Sequence, residues 1–231
     1  ALDRIQVSFE RLSKFSGELA HEMRTPLQNL RAEVEGLLLR PKGPGHQQEA
    51  LGSILEECER LASLIEKTLF LSRTEDPAAA IDRRPVELLP QLQSLAGFFE
   101  ATAEEAEVSI LLEVEEGFRV HADETLLQRA LTNLIANGIR HTPAGGWIRI
   151  AAERTPFFTR ILVRDSGPGV DPGLLGRLGE PWVKGPQEHV HGLGLAIVKG
   201  IMRLHRGGIA FASPTGGGLQ VSLTFPEPPG T

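Results

Sequence analysis

Residues 19 to 37, LAHEMRTPLQNLRAEVEGL, carry apolar side chains at Leu19, Met23, Leu30, Val34 and Leu37, with Pro26 filling the one gap in the alternating three- and four-residue steps. That rhythm is a heptad seam, and only a helix keeps such a seam on one face. Toward the N-terminus the seam continues through Ser16 to Leu12 and Phe9, so one long helix is expected over residues 3 to 40. Pro41, Gly43, Pro44 and Gly45 follow as stop signals. A second run, Leu51, Ile54, Cys58, Leu61 and Ile65, repeats the rhythm, and Leu55, Leu64 and Leu69 widen it. Two long helices joined by a short Pro/Gly loop form an antiparallel hairpin. A single hairpin cannot bury two wide stripes, whereas a dimeric four-helix bundle can.

His21 lies two residues from both Leu19 and Met23, about 200° around the helix from each. It therefore points away from the seam, where a neutral imidazole nitrogen is a good nucleophile near neutral pH. Glu22 is placed to hold the ring tautomer and accept a proton. Pro26 removes a backbone hydrogen bond one turn later and should bend the helix. A histidine on the wet face of an amphipathic helix is also simply a solvated side chain, and His21 taken singly does not decide between the two.

Beyond residues 74 to 85, which read as a linker, the pattern changes. Helices are expected over 88 to 105, 123 to 141 (with Asp123 as N-cap) and 194 to 204. Strands are expected over 108 to 114, 118 to 121, 147 to 152, 159 to 163, 209 to 212 and 219 to 225. Strands interspersed with helices on one side make an α/β sandwich. With the hairpin in front, the class is α+β multidomain.

Three motifs in this second part carry chemistry. Asn133, Asn137 and His141 are four apart and share a helix face. Asparagine is a poor interior helix residue, and its amide oxygen suits Mg²⁺; the neighbouring Arg140 could meet phosphate oxygens. Asp165-Ser166-Gly167-Pro168-Gly169 follows a strand, where glycines let backbone approach a ligand and the aspartate can accept from an adenine amino group. Gly192-Leu193-Gly194 opens a helix, a phosphate site in principle, and matches neither the Walker nor the dinucleotide pattern. Each alone also reads as something plain: a polar helix surface, a turn, a flexible loop before a core helix.

Taken together, in this order and spacing, these features resemble the H, N, G1 and G2 boxes of sensor histidine kinases over nearly the whole chain. The runs LDRIQVSFERLSKFSGELAHEMRTPLQNL and LIEKTLFLSRTE, with residues 123 to 145, are similar to the heavy-metal (copper/silver) sensor subgroup. The resemblance implies a dimerisation and histidine-phosphotransfer domain over 1 to 76 and a Bergerat-type ATP-binding domain over 77 to 231. It implies His21 as phosphoacceptor, Glu22 as its acid/base partner, and Thr25 in the slot linked to dephosphorylation of the partner. Asn137 would bind Mg²⁺ with Asn133 in support, Arg140 and His141 would meet phosphate or ribose, and Asp165 would read adenine. Gly167 and Gly169 would shape the base pocket, with Gly192 and Gly194 at the phosphates.

Departures occur around the last box. Val190 stands where a glycine is common, Lys184 replaces a common arginine, and Leu178-Gly179-Glu180-Pro181-Trp182-Val183 has one aromatic where the family has two. The segment 185 to 191, with Gly185 and Pro186, is expected to be a short, mobile lid.

The implied activity is ATP-dependent autophosphorylation followed by transfer to an aspartate on a response regulator receiver domain, in a homodimer, with phosphatase activity toward the regulator. The rivals are a non-catalytic dimeric scaffold with a decayed ATP site, and a Bergerat-fold ATPase that leaves histidine alone. A net charge of −6 shows no basic excess for nucleic acid or a basic membrane-binding face. No apolar run approaches the ~20 residues of a membrane helix, so the stretch reads as soluble, and the resemblance implies a cytoplasmic fragment. By resemblance, segments lying before it would anchor the full protein in the bacterial inner membrane. The single cysteine, Cys58, excludes an intrachain disulfide and reads as a small buried hydrophobe.

Overall fold

The computed structural model describes residues 2–39, 44–74, 80–183 and 192–228, with side chains described from 16 to 38 and from 47 onward within those ranges. The chain divides into two compact units, Ala1–Phe70 and Leu71–Thr231.

In the first unit, helix α1 spans Leu2–Leu39 and runs on through Pro26, and helix α2 spans Pro44–Thr74. Pro44 sits in the first turn of α2, where a missing N–H costs nothing because that donor has no partner within the helix. On α1 Pro26 is buried, and Leu19, Met23, Leu30 and Leu37 are half-buried, as the heptad reading requires, whereas Val34, read into the same seam, is exposed. On α2 the inner seam is one residue out of step with that reading. Ala50 and Leu64 are buried and Ile54, Glu57 and Leu61 half-buried, while Leu51 and Ile65 face outward. The offset has a physical cause: Asn29 Nδ2 donates to Glu57 Oε1 at 3.0 Å, so a polar pair holds a seam position that composition alone assigns to the surface. Cys58 goes with the outward set and is exposed, not buried as expected.

The second unit is built on a five-stranded sheet in the order β2-β4-β5-β7-β6, beside a two-stranded ribbon β1-β3. The strands are β1 Arg84–Glu87, β2 Ser109–Glu113, β3 Arg119–Ala122, β4 Trp147–Arg154, β5 Phe158–Asp165, β6 Gly208–Ala212 and β7 Gln220–Pro226. β2 runs parallel to β4, and every other pairing is antiparallel. Helices α3 (Leu88–Glu105), α4 (Glu124–His141) and α6 (Gly194–Leu204) complete the unit with a single turn, α5 (Pro172–Leu175). β5, and β7 up to its exposed last residue Pro226, alternate between buried and half-buried positions, the mark of a sheet covered on one face. Ile148, Ile150, Ile161, Val163, Val221, Leu223 and Phe225 form the covered side. Leu127, Leu131 and Ile135 of α4 and Ile197 and Ile201 of α6 supply the helical side of the core. The open face carries Trp147 with Arg149 stacked 4.6 Å from its ring centroid, and Phe158 with Arg160 at 4.8 Å.

Two elements were not expected from sequence. β1 begins in the last two residues of the stretch read as linker, and α5 follows the Asp165–Gly169 turn. β1 is short and polar, and it forms only because β3 pairs with it, from Arg84↔Ala122 to Glu87↔Arg119.

Candidate functional site

On α1, His21 and Thr25 are exposed, one turn apart on the same side, and Glu22 is half-buried on the flank between the wet face and the seam. The imidazole is therefore open to an incoming group.

In the second unit the site grows from α4. Asp123 caps it, its Oδ1 accepting from Leu126 N at 3.1 Å. The helix sends Leu127, Ala130, Leu131, Leu134, Ile135 and Ile139 into the core. Asn133, Asn137 and His141 stand half-buried along the adjoining flank, with Arg140 exposed. Asn133 Nδ2 donates to Arg129 O at 2.8 Å, which turns its Oδ1 outward; that oxygen lies 3.4 Å from the point a Gly194 Cβ would occupy. Gly194 is the first residue of α6, whose N-cap, Leu193, makes no side-chain cap bond. The first-turn N–H groups thus have no capping side chain, and the helix dipole adds partial positive charge there. Gly192, two residues earlier, holds φ +55.

Asp165 ends β5 and is 8% exposed. Its Oδ1 accepts from Gly167 N at 2.9 Å and from Leu219 N at 3.1 Å. Those two amides fix the carboxylate plane and leave Oδ2 as an acceptor for a donor from outside. Ser166 Oγ accepts from Trp147 N at 2.8 Å, pinning the turn to β4. A Cβ on Gly167 would stand 2.7 Å from His141 O, so this residue has no room for a side chain. Gly169, with φ +82, lies against Ser213 and Gly218 in the same way.

The structure thus brings His141, Asp165, Gly167 and Gly169 into one cluster and Asn133 and Gly194 into another, both on α4. Between Asn133 and His141 the helix rises about 12 Å, a span that suits an extended nucleotide with its base at one end and phosphates at the other. Asn137, half-buried, and Arg140, exposed, lie on α4 between the two clusters. Lys184, Val190 and the segment 185 to 191 lie outside the described residues.

A third group completes the aspartate cluster and was missed from sequence. Gly216, Gly217 and Gly218 hold φ +107, +90 and +84, and a Cβ on Gly218 would fall 1.9 Å from Asp165 O. The signal was present in the run of three glycines before the last strand. A tandem of glycines is equally an ordinary hairpin turn, and only β5–β7 pairing shows which residue it presses against.

For a metal, the described residues hold no group of three or more His, Cys, Asp or Glu. Amide oxygens on the α4 flank fit a hard, strongly hydrated cation shared with phosphate, which is the chemistry of Mg²⁺.

Comparison with known proteins agrees with this division. Residues 2–77 match the His Kinase A (phospho-acceptor) domain, and residues 122–229 match the histidine kinase-, DNA gyrase B- and HSP90-like ATPase family. Sensor protein IrlS of Burkholderia pseudomallei is 38% identical over 89% of this chain and 45% of its own length. Sensor histidine kinase CusS of Escherichia coli K12 is 31% identical over 97% of this chain and 48% of its own. The chain spans about half the length of the curated relatives it matches. Among solved structures, Acinetobacter baumannii histidine kinase AdeS shares the fold with a TM-score of 0.77 at 24% identity, covering 89% of this chain and 97% of that one. Histidine kinase ThkA, solved in complex with response regulator protein TrrA, does so with a TM-score of 0.78 at 21% identity, covering 96% and 64%. The two matched domains account for most of the chain, and the chain belongs to the sensor histidine kinases, in their heavy-metal-sensor subgroup.

Proposed function

We propose that this chain is the kinase core of a two-component system, which transfers the γ-phosphate of ATP to His21 and then to an aspartate of a response regulator receiver domain. The observation that carries this reading is the Asp165 cluster: a carboxylate locked through Oδ1 by two backbone amides and walled by Gly167 and Gly218, in one chain with an exposed His21. Such a carboxylate presents one fixed acceptor, which selects a donor-bearing base edge. Asp165 reads the adenine amino group through Oδ2, and Gly167 and Gly169 let the backbone close on the ring. Gly192 and Gly194 give the phosphates the open start of α6. Arg140 and His141 add charge and donors along the flank, and Lys184 adds a further cation.

Catalysis then rests on position and charge. A His21 ring nitrogen attacks the γ-phosphorus in line, the bond to the bridging oxygen breaks, and the charge leaves with ADP. Glu22 orients the ring and takes its proton. Mg²⁺, held by Asn137 with Asn133 in support, supplies neutralisation of the phosphate charge when bound. Thr25, on the His21 face, orients water for dephosphorylation of the regulator. The active assembly is a homodimer, and the full-length protein sits in the bacterial inner membrane through segments outside this stretch.

Incubation with γ-labelled ATP tests the core of this reading. The label should be acid-labile and alkali-stable, absent from His21→Ala, and accompanied by little free phosphate. Label persisting on His21→Ala removes the acceptor assignment. Phosphate release without label would mark a plain ATPase, and neither activity would mark a scaffold.

A further inference from the structure

His205 closes α6 at its C-terminal end and is fully buried. Its Nε2 lies 2.9 Å from the backbone N of Asp123, and its Nδ1 lies 2.8 Å from Ile201 O. The ring meets Phe225 edge-on, with centroids 5.2 Å apart. A backbone N–H can only donate, so Nε2 accepts, Nδ1 carries the proton, and Ile201 O receives it. Only the neutral ring in this one tautomer satisfies both bonds.

Asp123 is itself a junction. Its Oδ1 accepts from Leu126 N to cap α4, and its Oδ2 accepts from Asp82 N at 3.1 Å. His205, the C-cap of α6, is therefore tied to Asp123, the N-cap of α4. At the other end of the same helix pair, Gly194 stands against Asn133. The two helices pack antiparallel, and the ten steps along the chain from Asp123 to Asn133 match the eleven from His205 back to Gly194. An α-helix is stiff along its axis, so fixing one end of the pair fixes the offset at the other.

We infer that His205 is a positioning residue for nucleotide binding: its bond to Asp123 sets the register that holds the open start of α6 against Asn133. The inference rests on the reading that this start takes the phosphates of ATP, and it deepens that reading by naming what keeps the two walls aligned. A protonated ring would present an N–H at Nε2 to the Asp123 N–H, donor against donor, and the tie would open. Burial lowers the affinity of this imidazole for a proton, the Ile201 carbonyl bond opposes that, the Arg83 charge reinforces it, and the Asp123 charge opposes it. Ile201 and Phe225, also in contact with the ring, are uncharged. The sign follows: the tie is complete at neutral pH and above, and is lost as pH falls through a value below the ordinary histidine range.

Two substitutions separate the tie from packing. His205→Gln can place an oxygen near the Nε2 position and keep an acceptor for Asp123, whereas His205→Asn reaches only the Nδ1 position. The full chain is titrated by calorimetry with a β,γ-imido ATP analogue and with adenosine, at pH 8 and pH 5.5, with circular dichroism as the check on folding. At pH 8, His205→Asn should bind the analogue about 3- to 10-fold more weakly than His205→Gln, the scale of one lost hydrogen bond, and adenosine equally well. In the unmodified chain the ratio of analogue to adenosine affinity should fall at pH 5.5 by more than in His205→Gln, a readout that stands even where His205→Asn fails to fold. Equal analogue affinities in two folded variants would overturn the inference, as would parallel loss of adenosine binding or an identical pH response in His205→Gln. An unmodified chain that binds neither probe at pH 8 would instead overturn the ATP reading beneath it.

Discussion

At the scale of single residues the site depends on two kinds of constraint, a fixed acceptor and forbidden side chains. Asp165 Oδ1 is committed to Gly167 N and Leu219 N. In Asp165→Asn the amide oxygen keeps those bonds and the NH₂ takes the place of Oδ2, turning the outward acceptor into a donor. Losing a charge-assisted hydrogen bond of about 1.5–3 kcal/mol should weaken ATP roughly 10- to 150-fold, with the fold retained; calorimetry showing unchanged affinity would remove Asp165 from the base contact. The glycines make a graded prediction. Gly216 and Gly218 both hold positive φ, but a Cβ at Gly216 meets nothing within 4 Å and at Gly218 meets Asp165 O at 1.9 Å. Gly216→Ala should therefore show backbone strain alone, on the order of 1–2 kcal/mol. Gly218→Ala should cost clearly more, because β5 and the turn cannot both stay in place, and it should carry ATP affinity down with it. Thermal melts and nucleotide titrations of the pair check this, and equal melting temperatures would contradict it. Asp165 and Gly167 stood out in sequence only beside the other motifs, since a strand followed by D-x-G-x-G is by itself also a plain turn. Gly218 was not, because its role comes from a neighbour more than fifty positions away in the chain.

At the scale of elements, the long helices and every strand but β1 were read near their observed positions, since a 3.6-residue period and strand alternation are both local signals. Asp123 was legible as a cap, and α4 begins where that cap requires. What escaped was whatever needs a partner to exist. β1 is a strand because β3 pairs with it, and the inner seam of α2 includes Glu57 because Asn29 reaches it. The packing of α6 on α4 belongs with these, and it yields a prediction about pH. His205 is neutral in the folded protein, and burial lowers its proton affinity relative to the unfolded chain, where histidine titrates near roughly 6.5. A depressed folded value means full stability above that pH. As pH falls below it the unfolded chain binds a proton that the folded chain refuses, so stability declines until the folded value is passed. The slope approaches about 1.4 kcal/mol per pH unit for one such group. Calorimetric melts from pH 8 to pH 5 should show this decline, and it should be smaller in His205→Gln. Equal slopes would assign the acid sensitivity to other groups.

At the scale of the whole molecule, the hairpin unit leaves a second apolar face that its own two helices do not cover. Leu27, Val34 and Leu38 on α1 and Leu51, Leu55, Ile65 and Leu69 on α2 are each between 41% and 77% exposed. The one-residue offset of the α2 seam explains the division. The inner set holds the hairpin, and the outer set, spaced Leu51, Leu55, Cys58, Ile65 and Leu69, repeats on the heptad rhythm of a further helix contact. Completing the burial of such side chains is worth roughly 1 kcal/mol each. Seven per chain in two chains give on the order of 14 kcal/mol, against an association cost of about 4–15 kcal/mol. An isologous interface uses the same face twice, so each such side chain on one hairpin meets its counterpart face on the other. The prediction is that residues 1 to 76 sediment as a dimer. Leu51→Glu with Leu55→Glu should give a monomer by placing four carboxylates in the apolar interface, where unpaired charge is strongly disfavoured. The control is Glu59→Gln, which alters an exposed charge on the same helix without touching the apolar set. A dimer that survives both glutamates would mean that the outer seam is not the contact. A folded monomer of the unmodified segment at micromolar concentration would mean that the exposed leucines are covered by something other than a second hairpin.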